Sequence, residues 1–400
     1  MPGLEEVEVA EPVEWDMLVP LDDPYPVYRR LRDEAPVYHH PGRDLWALTR
    51  HEDVLEATKD WATFSTSIGG MGNDVDDTYQ LFLPAGDLAG SDPPIHTRLR
   101  AAMRAAFSPS ALKARFEPAV RDTATRLIDE FADAGSADFA RDLARPIPGS
   151  VMFTWFGFPE PDHPQLLAWF GDMLERDAGV RALPPVALDA RDHVRDYVLA
   201  TARERRANPT DDLMSFLVHA VDDGELSMDE LLGASLLLFI AGITTTSGLI
   251  SNSLLHLAEF PDQRDVLIAD PSLLPTAIEE LLRFEAPIQA LARTTTREVD
   301  VPSGGRIPTG ARVALVWASA NRDERHWPDP DTLDVTRPPQ RHLSFGEGIH
   351  HCLGAPLARL EARIVFEELF RRIGRYELDG PVVRIRTPTD RSLERLPVRF

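Results

Sequence analysis

Apolar residues recur at intervals of three and four along most of the chain and alternate in only a few short runs, which predicts a mainly α protein with a small β region. The first segment reads as helix 24–33, strand 36–39, a Pro41-Gly42 turn, strand 45–49 and helix 51–59. Periodicity then fails from Trp61 to Gly90, where glycines mix with Phe64, Ile68, Met71, Phe82 and Leu83. Long loops with large apolar side chains are often binding lids, and this one is read so. Helical spacing returns over 109–133, 137–158, 164–175, 186–206 and 211–221, with Trp169, Phe170 and Met173 as candidate pocket-lining residues. Residues 299–301 and 313–317 read as a hairpin about Gly304-Gly305, and 382–400 as short strands.

Ser227-Met228-Asp229-Glu230 is a capping-box signature, followed by a proline-free helical pattern to about Phe260. At about 1.5 Å per residue this helix spans roughly 50 Å. Its middle is Ala241-Gly242-Ile243-Thr244-Thr245-Thr246, an unusual run for a helix centre because Gly and β-branched residues weaken it. Each Thr hydroxyl can bond the carbonyl four residues back, Thr245 to Ala241 for instance, so a local groove is expected.

Near the other end, Phe345-Gly346-Glu347-Gly348-Ile349-His350-His351-Cys352-Leu353-Gly354 passes from a glycine-rich loop into a helix marked by Leu353, Leu357, Leu360, Ile364, Phe366 and Phe370. Cys352, the only cysteine, lies at that helix N-terminus, where N–H groups and the macrodipole favour a thiolate. Such a sulfur serves as metal ligand, nucleophile or buried thiol. No second Cys-x-x-Cys or spaced His pair completes a zinc site, and the local signatures of cysteine hydrolases are missing.

Composition narrows the rest. The 400 residues carry no low-complexity linker and read as one domain, 1–400, with 43% hydrophobic content for a sizeable core. The longest apolar run, 231–243, is too short for a membrane span, and the acidic first sixteen residues lack the order of a signal peptide, so a cytoplasmic protein is expected. A formal charge of -23 argues against nucleic acid or anionic membrane as partner. Lys59 and Lys113 are the only lysines, and a single cysteine allows no internal disulfide.

Phe345, Gly348, His350, Cys352 and Gly354 match the haem-binding loop of the cytochrome P450 family, and the sequence resembles the soluble bacterial members. The resemblance implies the P450 fold, with haem b (iron protoporphyrin IX) between the long central helix and the cysteine loop. Cys352 would be the axial iron ligand, Phe345 and Gly346 would line the cofactor, and His350 would bond a propionate. Asp92-Pro93-Pro94-Ile95-His96-Thr97-Arg98-Leu99-Arg100 resembles the family's propionate helix, which carries His96 and Arg100 over as propionate ligands, with Arg293 as another. Ile288, Leu291 and Ala292 would face the distal pocket.

The segment Ala241–Thr246 is similar to the oxygen-binding helix, where Gly242 leaves room for dioxygen and Thr245 orders its protonation. Thr244 departs from the family, which usually has Asp or Glu there to relay protons. Glu280 and Arg283 match the invariant Glu-x-x-Arg, with Arg337 as third member in a structural role. The implied activity is monooxygenation of a small lipophilic substrate with O2, by hydroxylation or oxidative dealkylation. Electrons would come from a separate ferredoxin and ferredoxin reductase, docking on a basic patch of Arg341, His351, Arg359 and Arg363. The alternatives are a peroxide-driven peroxygenase, which the Thr244 departure allows, and a haem-binding sensor or carrier.

Overall fold

The structure, a computed structural model, describes residues 13–17, 19–40, 42–68, 87–175, 183–387 and 389–400. Its central beam is the helix Met228–Glu259, which starts in the expected capping box: the Glu230 N–H donates to Ser227 Oγ at 3.1 Å and the Ser227 N–H donates to Glu230 Oε2 at 2.8 Å. This helix is long and apolar enough to cross a membrane, yet 78% of its most apolar window is buried inside the protein. The helices Pro146–Trp155, Leu213–Asp222, Leu274–Phe284 and Ala355–Arg372 pack against it, and Pro109–Asp129 packs against Ala355–Arg372. Phe239 anchors one contact, 4.5 Å from Phe156 and 5.8 Å from Phe153 between ring centroids. Burying each such ring is worth about 1.5–3 kcal/mol, so this shared core holds the beam in place.

The main sheet runs in the order Val37–His40, Leu45–Leu48, Arg312–Leu315, Leu291–Thr295, Phe64–Ser65, with only the second and third strands parallel. The expected hairpin is therefore corrected: Val299–Asp300 pairs with Arg306–Ile307, while Arg312–Leu315 enters the sheet centre. Val313, Ala314 and Leu315 are all fully buried, which suits a strand covered on both faces. Gly304 and Gly305 still make the turn, at φ +86° and +124°.

The helix expected over 137–158 is also broken up. Ser136–Asp138 is a strand paired with Pro397–Arg399, Ala140–Ala144 is a π-helical turn, and α-helix resumes at Pro146–Trp155. Asp138 Oδ1 accepts the N–H groups of Ala140, Arg141 and Leu396, at 3.2, 3.2 and 2.9 Å, and so competes with helix at that point. Pro146 then has no N–H to continue a ladder and instead opens a new helix. Phe170 and Met173 belong to the buried core, and Trp169 packs edge-on to His193 at 5.0 Å, so these three serve packing. Of the expected lid, Phe64–Ser65 is a strand on the edge of the main sheet and Ile68 is exposed, while Gly69, Gly70, Met71, Gly72, Phe82 and Leu83 lie outside the described residues.

Candidate active site

The loop before Cys352 is shaped by its own backbone. Gly346 and Gly348 take φ +64° and +67°, and a side chain at 348 would meet the Lys59 backbone at 3.2 Å, so the loop lies directly on helix His51–Lys59. The Cys352 N–H donates to the Phe345 carbonyl at 2.8 Å, closing the loop on itself. The helix begins later than the periodicity suggested, at Ala355, and Cys352 sits just outside it. Its sulfur accepts from the N–H groups of Gly354 and Ala355, and Arg100 and Arg359 lie near enough to favour the anion. Burial outweighs them and pushes the thiol pKa up, which corrects the expectation of a free thiolate. A coordinated metal would remove that proton.

Cys352 is nonetheless accessible, and Phe345, Ile349 and Leu353 are half-buried. A sulfur crowded by the surrounding chain yet still exposed suits the wall of an internal space. The central helix reports the same space. Every residue from Leu231 to Leu257 is buried except Leu238, Ala241, Gly242, Thr244 and Thr245, which lie at its middle. As expected, Thr245 Oγ1 donates to the Ala241 carbonyl at 2.6 Å; Thr244 Oγ1 does the same to Ile240 at 2.9 Å. At Gly242 a Cβ would meet Met152 Sδ at 3.1 Å, so its small size also serves close packing against helix Pro146–Trp155. Ile288 and Leu291 are half-buried and Ala292 is buried.

The expected anion ligands also converge. His96 is buried, with Nε2 lacking a hydrogen-bond partner among the described residues, and its ring lies 4.4 Å from that of His350. Arg293 is buried and donates to the Ala292 carbonyl at 2.7 Å; its burial lowers its pKa to about 10, and Asp92 partly opposes this. His350 is pushed down to about 3, first by burial and then by Arg293 and His96. Arg100 donates to the His351 carbonyl at 2.8 Å. Asp92 opposes these shifts at His350 and Arg293, and it is engaged by the hydroxyls of Ser65, Thr66 and Ser67. Gathered cations and an unpaired buried ring nitrogen suit a ligand carrying carboxylates. Among the described residues no three His, Cys, Asp or Glu side chains cluster as a metal cage, so the lone sulfur fits a metal that brings its own ligands, as a porphyrin iron does.

The sequence profile described as Cytochrome P450 matches residues 42–270 and 267–381. The chain belongs to the cytochrome P450 family. Putative cytochrome P450 123 of Mycobacterium tuberculosis is 36% identical over 98% of this chain and 96% of its own length. Cyclomarin C epoxidase CymV of Salinispora arenicola is 38% identical over 90% of this chain and 91% of its own. The crystal structure of the myxobacterial cytochrome P450 CYP267B1 in complex with myristic acid superposes with a TM-score of 0.85 and 35% identity, covering 94% of this chain and 96% of that one. This P450 is therefore an enzyme, a haem-dependent monooxygenase, with the iron of protoporphyrin IX as its metal.

The P450 also contains supports that the sequence pattern did not mark. Arg283 grips Glu280 at 2.7 and 2.8 Å, and Arg337 joins at 3.1 Å, as expected. From this triad Arg283 donates to the Asn321 carbonyl at 3.0 Å. The Asn321 side chain then accepts from the Leu343 N–H at 2.7 Å and donates to Ser344 Oγ at 2.8 Å. Fully buried Asn321 thus ties the triad to the residue preceding Phe345. Its only sequence signal is an Asn following an apolar run, which reads as an ordinary turn. In the expected basic patch Arg341 pairs with Glu347, Arg359 with Glu279, and Arg363 with Glu367, each within 2.7 Å.

Proposed function

We propose that this P450 inserts one oxygen atom from O2 into a neutral, lipophilic small molecule, by hydroxylation or oxidative dealkylation, drawing electrons from a separate ferredoxin and its reductase. The observation that carries this reading is the opening in the middle of the buried helix, where Leu238 and Ala241 offer apolar surface beside the Thr245 hydroxyl. Half-buried Ile288 and Leu291 add apolar wall without a charge. The relative that is a cyclomarin C epoxidase, and the neighbour solved in complex with myristic acid, support a lipophilic class.

When bound, haem with a thiolate ligand supplies the redox chemistry that splits dioxygen. The chain's part is to hold, orient and deliver protons. Cys352 provides the ligand, with its N–H fixed by Phe345. His96, Arg100, Arg293 and His350 seat the propionates, using donors already enclosed by the fold. The Thr245 hydroxyl holds a proton at the opening and passes it on, and Thr244 with ordered water completes the path in place of the usual acid.

A second reading is peroxide-driven turnover, favoured by Thr244, which supplies no carboxylate and whose hydroxyl is engaged by Ile240. The deciding experiment begins with a screen for ligands that shift the Soret band. Product formation from each hit is then followed with ferredoxin, reductase and reduced nicotinamide, and separately with hydrogen peroxide alone. Turnover with peroxide alone that equals the reductase system would overturn the preferred reading.

A further inference from the structure

We propose that the Glu279–Arg359 ion pair sets the reduction potential of the haem held by Cys352: Arg359 is the cation that favours the reduced state, and Glu279 is the restraint on it. Both are positioning residues, and the proposal rests on ligation by Cys352 rather than on the identity of substrate or electron donor. Arg359 stands on helix Ala355–Arg372, seven residues beyond the ligand. Its guanidinium is held in a bidentate fork, Nε to Glu279 Oε1 and Nη2 to Oε2, each at 2.7 Å. It also lies against the Phe345 ring, with the charge 4.4 Å from the centroid. Phe345 is the residue whose carbonyl takes the Cys352 N–H, so one cation is fixed to the same turn of chain that fixes the ligand.

Glu279 reaches the loop less directly. It lies on helix Leu274–Phe284 and touches Arg359 and, at 3.4 Å, His342. Both partners are partly shielded, with side chains 37% and 25% exposed, so solvent screens their charges incompletely. The second cation near the sulfur, Arg100, is committed to the His351 carbonyl. Arg359 is therefore the cation at this sulfur whose field is governed by a removable carboxylate. Reduction adds negative charge at the iron–thiolate unit, and a fixed nearby cation stabilises it. Loss of Arg359 should make the haem harder to reduce, and loss of the Glu279 charge should make it easier.

The test uses the haem-loaded protein and spectroelectrochemical titration, with the ferrous–CO spectrum recorded in parallel as an independent check on Cys352 ligation. Arg359→Gln is expected to lower, and Glu279→Gln to raise, the ratio of reduced to oxidised protein at fixed potential. Each change should be on the order of tenfold, which for one electron is about 59 mV. Arg359→Lys, which keeps the charge, should stay near the parent. Arg363→Gln, one turn further along and paired with Glu367 at 2.6 Å and Glu117 at 3.3 Å, should not move the potential. Shifts of the same sign in the two Gln variants, or none in either, with the thiolate-type CO band intact, would overturn the proposal. If Arg359→Gln loses that band, Glu279→Gln with Arg359→Lys decides: a rise in the first beside a parental second sustains the proposal, and no rise ends it. Loss of the CO band in the parent protein would instead strike at Cys352 ligation.

Discussion

The Thr245 hydroxyl donates to the Ala241 carbonyl across 2.6 Å within the only unburied stretch of the interior of helix Met228–Glu259. The bond parks the hydroxyl at the opening with its oxygen lone pairs free to accept a proton in exchange for the one it gives. Thr245→Ala is expected to cut product per electron pair several-fold and to release the difference as hydrogen peroxide, while Thr245→Ser retains most coupling. Unchanged coupling in the alanine variant would remove Thr245 from the proton path.

Thr244 is half-buried and bonded to Ile240, so it passes a proton only by rotating away from that carbonyl. Thr244→Asp should raise coupling with ferredoxin and reductase, because a carboxylate both accepts and delivers protons near neutral pH. In a peroxygenase the same substitution brings no gain, and the ratio of product to electrons consumed distinguishes the two.

Cys352→Ala should abolish the red-shifted Soret band of the ferrous CO complex, and Cys352→Ser should do nearly the same, since an alcohol is a poor anionic ligand. The chain holds no second cysteine to substitute. Survival of the thiolate-type spectrum in the alanine variant would refute this ligand assignment.

Glu280 is almost fully buried between Arg283 and Arg337 and also accepts the Asp334 N–H at 3.1 Å. Glu280→Gln leaves Arg283 charged in the interior without its anion, which costs about 3–5 kcal/mol. Urea unfolding should show that loss. Because Arg283 bonds Asn321, haem release should follow at lower urea than in the parent. A variant within about 1 kcal/mol of the parent would mean the triad is dispensable for stability.

His51 stacks on His326, with ring centroids 3.5 Å apart and planes at 7°, and its Nε2 is buried without a partner among the described residues. Burial, followed by His326, holds its pKa down to about 4, with Asp323 opposing and Lys59 adding to the depression. Between about 4 and the ordinary value of 6.5 the unfolded chain takes a proton that the folded one refuses, so stability is full above 6.5 and falls as pH drops through this window. His51→Phe keeps a ring on His326 and removes the titration. Unfolding midpoints at several pH values inside and above the window should show a shallower decline in the variant, and equal slopes would assign the acid sensitivity elsewhere.

What could be read from the sequence follows from the range of each signal. The capping box at Ser227 and Glu230, the Thr245 back-bond and the glycine turn at 304–305 are local, fixed by residues within a few positions, and they stand as expected. The Glu280–Arg283–Arg337 grip and the gathering of His96, Arg293 and His350 came from resemblance, since no periodicity connects residues so far apart. Misreadings arose where a distant partner decides. Arg312–Leu315 belongs to the sheet centre because Leu45–Leu48 and Leu291–Thr295 flank it, and Asp138 interrupts a helical pattern by binding Leu396. The thiol at Cys352 is set by how deeply the chain surrounds it, which local spacing does not encode.

The close approach of Gly242 to Met152 gives the groove at the middle of the central helix a backing layer. Met152 is buried on helix Pro146–Trp155 and presents a flexible, polarisable side chain to the point where the central helix opens. Reshaping this enzyme toward a new substrate therefore need not begin with residues that touch it. A library at Met152, varying bulk and stiffness behind the groove, offers a handle on regioselectivity that leaves Thr245 and the haem seat as they are.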